Sequence, residues 1–225
     1  MSLTLGRVLS VNVAAAPSPT GQKESGLTGF GKAPTDAPVP VRAPGPKGTG
    51  GSGMVGDTVQ DLRHHGGDDQ AVYAYAREDL DWWERELGRT LPAGSFGENL
   101  TTSGIDLTGA LVGERWRIGD EAVLQVACPR VPCTVFAERM GVPRWVKRFT
   151  ERGVSGAYLR VVEPGSVRVG DPVVLLSRPE HTVTLGMYFR ALTIEPALLP
   201  GLMAAGAALP AETRATVARR TAAAS

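Results

Sequence analysis

Gln125–Arg139 reads Q-V-A-C-P-R-V-P-C-T-V-F-A-E-R and contains both cysteines of the chain, Cys128 and Cys133. Each cysteine has a proline neighbour, and Arg130 lies between them. The alternating residues at the start of this stretch predict a strand, and the residues from Thr134 onward predict a helix. Because proline fixes the backbone direction and removes a donor, the two prolines predict a stiff turn between the strand and the helix.

The chemistry of these two thiols has two interpretations. A thiol on a stiff turn, beside an arginine and a helix N-terminus, is expected to favour the thiolate form. Alternatively, both cysteines are buried and serve as small apolar side chains, as most free cysteines do. Two cysteines at this spacing match neither a C-x-x-C redox pair nor a zinc site. The stretch alone leaves both interpretations open.

The composition excludes several classes of protein. Of the 225 residues, 42% are hydrophobic, which is enough for a folded core. The net charge of +1 gives no field that would attract nucleic acid or a membrane surface. No apolar run reaches the roughly 18 residues of a membrane-spanning helix, and the N-terminus lacks the pattern of a secretory signal. We therefore expect a cytoplasmic protein whose cysteines do not form a structural disulfide.

The pattern of apolar residues predicts a strand-rich fold followed by helices, with a boundary between residues 178 and 179. Strands are predicted at Leu3–Val13, Pro38–Arg42, Asp57–Leu62, Leu100–Thr102, within 113–120, and at Val123–Val126, Gly156–Glu163 and Asp171–Ser177. Helices are predicted at Gln70–Leu87, capped by Asp69, and at Val135–Thr150, interrupted around Gly141–Pro143. Three short helices are predicted at Thr182–Leu192, Pro196–Ala205 and Glu212–Thr221.

Two glycine-rich segments resemble nucleotide-binding motifs but lack a required part. Gly26–Ala33 spells most of a phosphate-binding P-loop, yet Ala33 replaces the hydroxyl residue that would hold magnesium. Gly48–Gly53 matches G-x-G-x-x-G, but no apolar strand precedes it. We interpret both segments as flexible loop.

The sequence His64-His65-Gly66-Gly67 is a second candidate site. Adjacent histidines on a strand point to opposite faces, so the pair does not share one metal ion. Paired glycines permit positive φ and let the backbone approach a ligand closely. His65 therefore either contacts a ligand or is satisfied by backbone groups in the turn.

Taken together, the chain resembles the MOSC domain, a relative of the C-terminal domain of molybdenum cofactor sulfurases, and in particular its YiiM-type subgroup with a three-helix tail. The residues that carry the resemblance run in order along most of the chain. They are Lys32, Asp57–Leu62, Arg63, His65-Gly66-Gly67, Asp69, Ala71–Tyr75, Gly94–Leu100, Gly113-Glu114, Gly119-Asp120 and Arg130–Cys133. The resemblance implies a mainly β, barrel-like fold with peripheral helices and a small C-terminal helical appendage.

The resemblance also separates the two cysteines. The cysteine that the family requires corresponds to Cys133, whereas Cys128 stands where glutamine is frequent and is expected to have no catalytic role. A second departure is the segment Ala43–Met54, which is longer and richer in glycine than the family pattern. The resemblance therefore does not predict the backbone path of this loop.

The function implied by the resemblance is a molybdenum cofactor enzyme that reduces N-hydroxylated small molecules of the hydroxylaminopurine type. Cys133 would be the metal ligand, and Cys133 and His65 the catalytic residues. The residues expected to bind the molybdopterin are Lys32, Arg63, His65, Gly66, Gly67, Asn99 and Arg130. Electrons would come from a separate reductase, and the apolar C-terminal helices could pair two subunits.

Two other functions remain open from the sequence. In the first, Cys133 carries a persulfide and delivers sulfur to a metal cofactor, without turnover of a small-molecule substrate. In the second, the protein binds a cofactor without catalysis. Pyridoxal phosphate, which is loosely associated with the family, is discounted because no lysine is singled out by its context as a Schiff-base residue.

Overall fold

The first strand, β1 (Leu3–Val13), closes the barrel of this protein because it pairs with the strands at both ends of the barrel sheet. The computed structural model describes residues 3–222. The other strands are β2 (Ser18–Pro19), β3 (Leu27–Thr28), β4 (Ala33–Thr35), β5 (Val39–Val41), β6 (Val72–Ala76), β7 (Leu100–Ser103), β8 (Arg115–Ile118), β9 (Ala122–Cys128), β10 (Ala157–Glu163), β11 (Gly165–Val167) and β12 (Pro172–Ser177).

Seven strands form the barrel in the order β12-β8-β9-β10-β6-β7-β1, and a further pairing of β1 with β12 closes it. One end of β1 pairs with β12 and its middle pairs with β7, with a bulge in each ladder. β4 extends the sheet beyond β1, while β2–β3 and β5–β11 form two small separate sheets. All barrel pairs are antiparallel except β6–β7, which is parallel.

Helices surround this barrel. They are α1 (Arg77–Leu87), α2 (Thr134–Met140), α3 (Trp145–Arg152), α4 (Leu185–Thr193) and α5 (Ala211–Ala222), with 3₁₀ segments at Asp68–Gln70 and Pro196–Ala208. The prediction of a mainly β, barrel-like fold with peripheral helices and a C-terminal helical appendage is thereby confirmed. The three predicted C-terminal helices are all present, and the interruption of the helical region near Gly141 is confirmed as well.

The predicted helix at Gln70–Leu87 is wrong in its first half. Val72–Ala76 is the barrel strand β6, and the helix begins only at Arg77, so Asp69 is not its N-cap. All five residues of β6 are buried, with Val72, Ala74 and Ala76 in the barrel core and the intervening tyrosines packed outside it. The sequence of a strand that is covered on both faces is a continuous apolar run. Periodicity cannot distinguish such a run from a helix.

The predicted strand at Asp57–Leu62 is absent. This segment is irregular, and its two carboxylates are bound by lysines, Asp57 by Lys32 and Asp61 by Lys23. The two acidic side chains are thus held by polar partners, and no strand within residues 3–222 pairs with the segment.

Two apolar clusters fill the molecule. One cluster fills the barrel and continues without a break into the C-terminal helices through Leu185, Tyr188 and Leu202. The other is aromatic and lies between the barrel wall and α1–α3, with Trp83, Trp145 and Phe149 among its members. The division of the chain between residues 178 and 179 stays a prediction. Within residues 3–222, no helix has the length and apolar character needed to cross a membrane.

Candidate functional site

The two cysteines lie at the two ends of the predicted strand-to-helix turn. Cys128 is the last residue of β9, and Cys133 immediately precedes α2 as its N-cap residue, with an extended backbone. Cys128 is buried, and its thiol donates to the Asp69 carbonyl at 3.6 Å, whereas Cys133 is partly exposed. The turn therefore presents one thiol to solvent and holds the other in the core.

The pKa values of the two thiols are shifted in opposite directions from the ordinary value for cysteine. Burial opposes ionisation of Cys133, but a hydrogen bond with the His65 side chain, the charge of Arg130 and the Phe136 amide outweigh it and lower the pKa to about 6. Burial raises the pKa of Cys128 to about 12. Near neutral pH, Cys133 is therefore a thiolate and Cys128 a neutral thiol, as expected for a reactive and an inert cysteine.

Arg130 is buried, and aromatic rings rather than carboxylates surround it. Its guanidinium carbon lies 4.3 Å from the ring centroid of Phe136, 5.0 Å from that of Phe30 and 5.1 Å from that of Tyr73. Its Nη1 donates to the Phe96 carbonyl. In the part of the chain that the structure describes, no carboxylate forms an ion pair with Arg130. This buried cation is thus available to the Cys133 thiolate and to an anionic ligand.

Lys32 and Asp57 form a buried ion pair, with side chains only 8% and 1% exposed. Lys32 Nζ donates to both carboxylate oxygens, and Asp57 also accepts from Ser52 Oγ at 2.7 Å and from the Ala14 amide at 2.8 Å. Burial lowers the pKa of Lys32, and the charge of Asp57 only partly offsets this effect. The network fixes the ammonium group at one position.

Asn99 supports this network. Its Nδ2 donates to Asp57 Oδ2 at 2.9 Å and to the Asn12 carbonyl at 3.2 Å, and its Oδ1 accepts from the Tyr73 amide at 3.1 Å. The amide therefore ties β1, β6 and Asp57 together. Glu98, next to it, is fully buried and accepts from the Gly94 and Phe96 amides and from the Thr101 hydroxyl, so it holds the loop that precedes β7.

The two glycines that follow His65 pack against the unusual loop Ala43–Met54. Both have φ of +78°, and a Cβ on Gly66 would lie 2.7 Å from the Gly51 carbonyl oxygen. A Cβ on Gly67 would lie 2.7 Å from the backbone of Lys47. The glycines are thus required by the close approach of two chain segments, and the loop that departs from the family pattern contacts matched residues directly.

Two cavities meet at Cys133. The inner pocket is lined by Lys32, Asp57, Asn99, Arg130, Phe30 and Tyr73, among others, and has a volume of about 100 Å³. The outer groove lies between the cysteine turn and the C-terminal helices and has a volume of about 630 Å³. Five residues line both cavities, namely His65, Gly66, Gln70, Cys133 and Tyr158. The thiolate is therefore accessible from two sides.

Most residues predicted from the sequence to form the site come together here, but two do not. Arg63 is exposed and lies outside the linings of both cavities, and Gly67 acts through packing rather than at the cavity surface. Sequence reasoning missed Asp57, Gln70, Tyr73 and Tyr158 as lining residues. Asp57 and Lys32 are far apart in the chain, so no local spacing could reveal their pairing.

Comparison with known families agrees with this architecture. Residues 61–174 match the model of the MOSC domain, a span that includes His65, Arg130 and Cys133. The chain belongs to the MOSC domain family. The resemblance on which the sequence-based expectations rest is therefore confirmed.

Several curated proteins share the MOSC region. The chain is 42% identical over 130 residues to the uncharacterized protein YflK of Bacillus subtilis, covering 58% of each. It is 33% identical over 129 residues to protein YiiM of Escherichia coli, covering 56% of this chain and 57% of that protein. A protein named reductase from Gibberella moniliformis is 32% identical over 138 residues, which cover 60% of this chain and 24% of that protein. The chain thus spans less than two thirds of the length of the curated relatives it matches.

Solved structures extend the likeness to the whole MOSC fold and its C-terminal helices. The crystal structure of YiiM from Geobacillus stearothermophilus superposes with a TM-score of 0.75 at 29% identity, covering 95% of this chain and 98% of that one. YiiM from Escherichia coli superposes with a TM-score of 0.71 at 23% identity, covering 100% and 94%. The fold described here is that of these MOSC proteins.

Proposed function

We propose that this protein binds the molybdenum cofactor through Cys133 and reduces N-hydroxylated small molecules. The observation that carries the proposal is the Cys133 thiolate, with its pKa lowered to about 6, at the junction of a cation-lined pocket and a wider groove. Membership of the MOSC family and the similarity to a protein named reductase support an oxidoreductase role.

The one thiolate ligand at this site suits a metal that is bound as part of a cofactor with ligands of its own. Within residues 3–222, no three histidine, cysteine, aspartate or glutamate side chains cluster closely enough to hold a metal ion. A single thiolate cannot retain a metal alone, whereas the molybdenum cofactor brings the two sulfur atoms of its pterin. Thiolate is a suitable further ligand because soft sulfur donors bind such centres well.

The cations of the inner pocket fit the anionic part of such a cofactor. Arg130 is buried, and within residues 3–222 no carboxylate forms an ion pair with it. Lys32 is already paired with Asp57, so its ammonium group would have to be shared between Asp57 and the ligand. Fixed cations in a poorly solvated pocket bind a phosphate group strongly, and an arginine can donate to it through two nitrogens. Asn99 would act by positioning Asp57, and Gly66 by allowing close approach of the chain. Gly67 would act through the packing of the Ala43–Met54 loop, and Arg63 is left without a direct contact.

The narrow inner pocket has to widen to admit a whole pterin. Its volume of about 100 Å³ is below the roughly 300 Å³ at which ligand pockets usually begin. Thr58, Val59, Gln60 and Asp61 form part of its lining and have no regular secondary structure.

The remaining roles, which are to orient the thiolate and to provide a polar group beside the reacting atoms, belong to residues of this chain. When bound, the cofactor would supply the two electrons of the reduction. The net reaction converts R–NHOH, two electrons and two protons into R–NH₂ and water. His65 lines both cavities together with Cys133, which places its imidazole beside the reacting atoms. The electrons would come from a separate reductase.

A reductase assay tests the proposal. The protein is purified from cells that make molybdenum cofactor, and turnover of 6-hydroxylaminopurine is followed with a chemically reduced viologen as electron donor. We expect turnover in the wild type and in Cys128→Ser, and none in Cys133→Ser. Full activity of Cys133→Ser would refute the role of this thiol.

The sulfur-carrier function makes a different prediction from the same sample. It needs the same reactive thiol, but it predicts no turnover and a labile extra sulfur atom on Cys133. Mass spectrometry of the protein before and after treatment with a thiol reductant detects that sulfur. Its presence together with no molybdenum would favour the carrier over the reductase.

A further inference from the structure

We propose that residues 15–28 form a flap that covers the inner pocket and opens to admit a ligand, and that helix α2 holds this flap closed. The flap contains the two short strands β2 and β3, which pair with each other. Lys23, Leu27 and Thr28 of the flap line the inner pocket, and none of residues 15–28 lines the outer groove. The inference goes beyond the proposed function, because it concerns access to this pocket for any ligand larger than the pocket itself.

One buried carboxylate fixes both ends of the flap. Asp57 accepts from the Ala14 amide at 2.8 Å, directly before the flap, and from the Lys32 ammonium group, shortly after it. Phe30 is a second anchor after the flap, because its ring centroid lies 5.5 Å from that of Phe136. The ends of the flap are therefore close together and held in place, as in an Ω-loop.

The body of the flap makes its own hydrogen bonds and adds nothing to the apolar core. The Thr20 amide donates to the Gly26 carbonyl, and the Gly26 amide donates to the Lys23 carbonyl, both at 2.9 Å. Within residues 3–222, no backbone–backbone hydrogen bond joins the flap to the rest of the chain. Thr20 is the one buried residue among residues 15–28, and none of them belongs to either apolar cluster. The flap can therefore move as a unit without breaking a strand pairing or exposing the core.

Two consecutive, exposed residues of α2, Glu138 and Arg139, hold the first part of the flap. Glu138 accepts from the Thr20 hydroxyl and from the Gly21 amide, the latter at 2.9 Å. Arg139 donates to the hydroxyl and the carbonyl of the two residues before them. Cys133 is the N-cap residue of the same helix, so α2 connects these contacts to the reactive thiol.

Lys23 makes a further contact, with Asp61 in the pocket wall, at 2.5 Å. The side chains of this pair are 28% and 23% exposed, whereas those of Lys32 and Asp57 at the base are 8% and 1% exposed. Exposed ion pairs and hydrogen bonds contribute little each, whereas loss of one partner of a buried pair is costly. The contacts with α2 and Asp61 should therefore break before the base does.

A cysteine placed inside the pocket measures how readily the flap opens. Val135→Cys, in a chain that also carries Cys128→Ser and Cys133→Ser, puts one thiol at a position that is 3% exposed and lines only the inner pocket. Monobromobimane, a bicyclic thiol reagent, is too large for a pocket of about 100 Å³, since ligand pockets usually begin at roughly 300 Å³. We expect the folded protein to be labelled far more slowly than the urea-unfolded chain.

Loss of the contacts with α2 should speed this labelling. Glu138→Ala with Arg139→Ala, in the same background, should raise the rate about tenfold, because several hydrogen bonds to the flap are lost while alanine preserves the helix. The matched control is Glu151→Ala with Arg148→Ala, which removes a glutamate and an arginine whose ion-pair partners lie outside the flap. This control should leave the rate unchanged.

The urea dependence of labelling distinguishes flap opening from global unfolding. Below the unfolding transition the rate should change little with urea, because opening of the flap exposes little apolar surface. A rate that rises steeply with urea from the outset would assign entry to global unfolding and overturn the inference. Rapid labelling with the α2 contacts intact, or equal rates with and without them, would also overturn it. The assay uses no molybdenum, so it gives its answer whether or not the protein proves to be a reductase.

Discussion

His65 and Cys133 come from separate parts of the chain, yet both line the inner pocket and the outer groove, and His65 is foremost among the groups that lower the pKa of Cys133. His65 lies in an irregular turn held by the Ala43–Met54 loop, whereas Cys133 lies at the start of α2. The reactive thiol therefore depends on the packing of a distant glycine-rich segment. This relationship leads to predictions about acidity, stability and loop packing.

The first prediction concerns the pH dependence of thiol alkylation. Because the pKa of Cys133 is about 6 in the folded protein, its reaction with iodoacetamide should rise through pH 6 and level off above it. His65→Ala removes a hydrogen bond to the thiolate, so the profile should move upward toward the ordinary pKa of 9.0. Cys128, buried with its pKa raised to about 12, should stay unmodified in native protein.

The same shift has a consequence for stability. A thiol whose pKa is lower in the folded than in the unfolded state stabilises the fold fully above pH 9, and this contribution is lost as the pH falls through 6. Cys133→Ser should therefore flatten the pH dependence of the unfolding free energy between pH 6 and 9. An unchanged pH dependence in that variant, measured by urea unfolding, would contradict the low pKa.

The second prediction concerns the buried pair of Lys32 and Asp57. Asp57→Asn leaves a buried ammonium group without its counter-charge and should destabilise the protein by about 3 kcal/mol. Lys23→Met breaks a pair at the edge of the same pocket, where the side chains are 28% and 23% exposed, and should cost about 1 kcal/mol or less. Urea unfolding compares the two, and equal costs would show that burial of the pair has no effect.

The third prediction separates the charge of Arg130 from its shape. Arg130→Lys keeps the positive charge but loses stacking on Phe30, Tyr73 and Phe136, so it should cost about 2 kcal/mol of stability. The alkylation profile of Cys133 should then move little. Arg130→Met should shift that profile to higher pH, because the charge that stabilises the thiolate is gone. Identical profiles for both variants would exclude an electrostatic role.

The fourth prediction concerns the glycines that hold the loop. Gly67 has φ of 78° and ψ of 173°, a conformation restricted to glycine, and a Cβ there would overlap the backbone of Lys47. Gly67→Ala should cost about 3 kcal/mol. Gly48→Ala changes a glycine that also has positive φ but has open space around it, and should cost about 1 kcal/mol. Equal losses of stability in the two variants would show that Gly67 is not required by the close packing of the loop.

Local chemistry made part of the site predictable from the sequence. The prolines around Arg130 and the change from strand to helix pattern placed Cys133 correctly at a turn, and the resemblance distinguished it from Cys128. The choice between the two thiols has a physical basis in burial and in the contact with His65, and neither is visible in a linear sequence.

The rest of the site depended on tertiary packing. Val72–Ala76 was predicted as helix because a strand covered on both faces has no two-residue alternation. The partnership of Lys32 with Asp57 arises from segments that meet only in the folded barrel. Arg63 matched the family pattern by position, but its side chain is exposed away from both cavities.

The most direct test of the central claim is the molybdenum content of the protein purified from cells that make the cofactor. Wild type and Cys128→Ser should each contain about one molybdenum and one pterin per chain, and Cys133→Ser should contain neither, since one thiolate joins the metal to the protein. Melting temperatures close to that of the wild type would show that the serine variant is folded. Equal molybdenum in Cys133→Ser and wild type, or none in a folded wild type, would contradict the account.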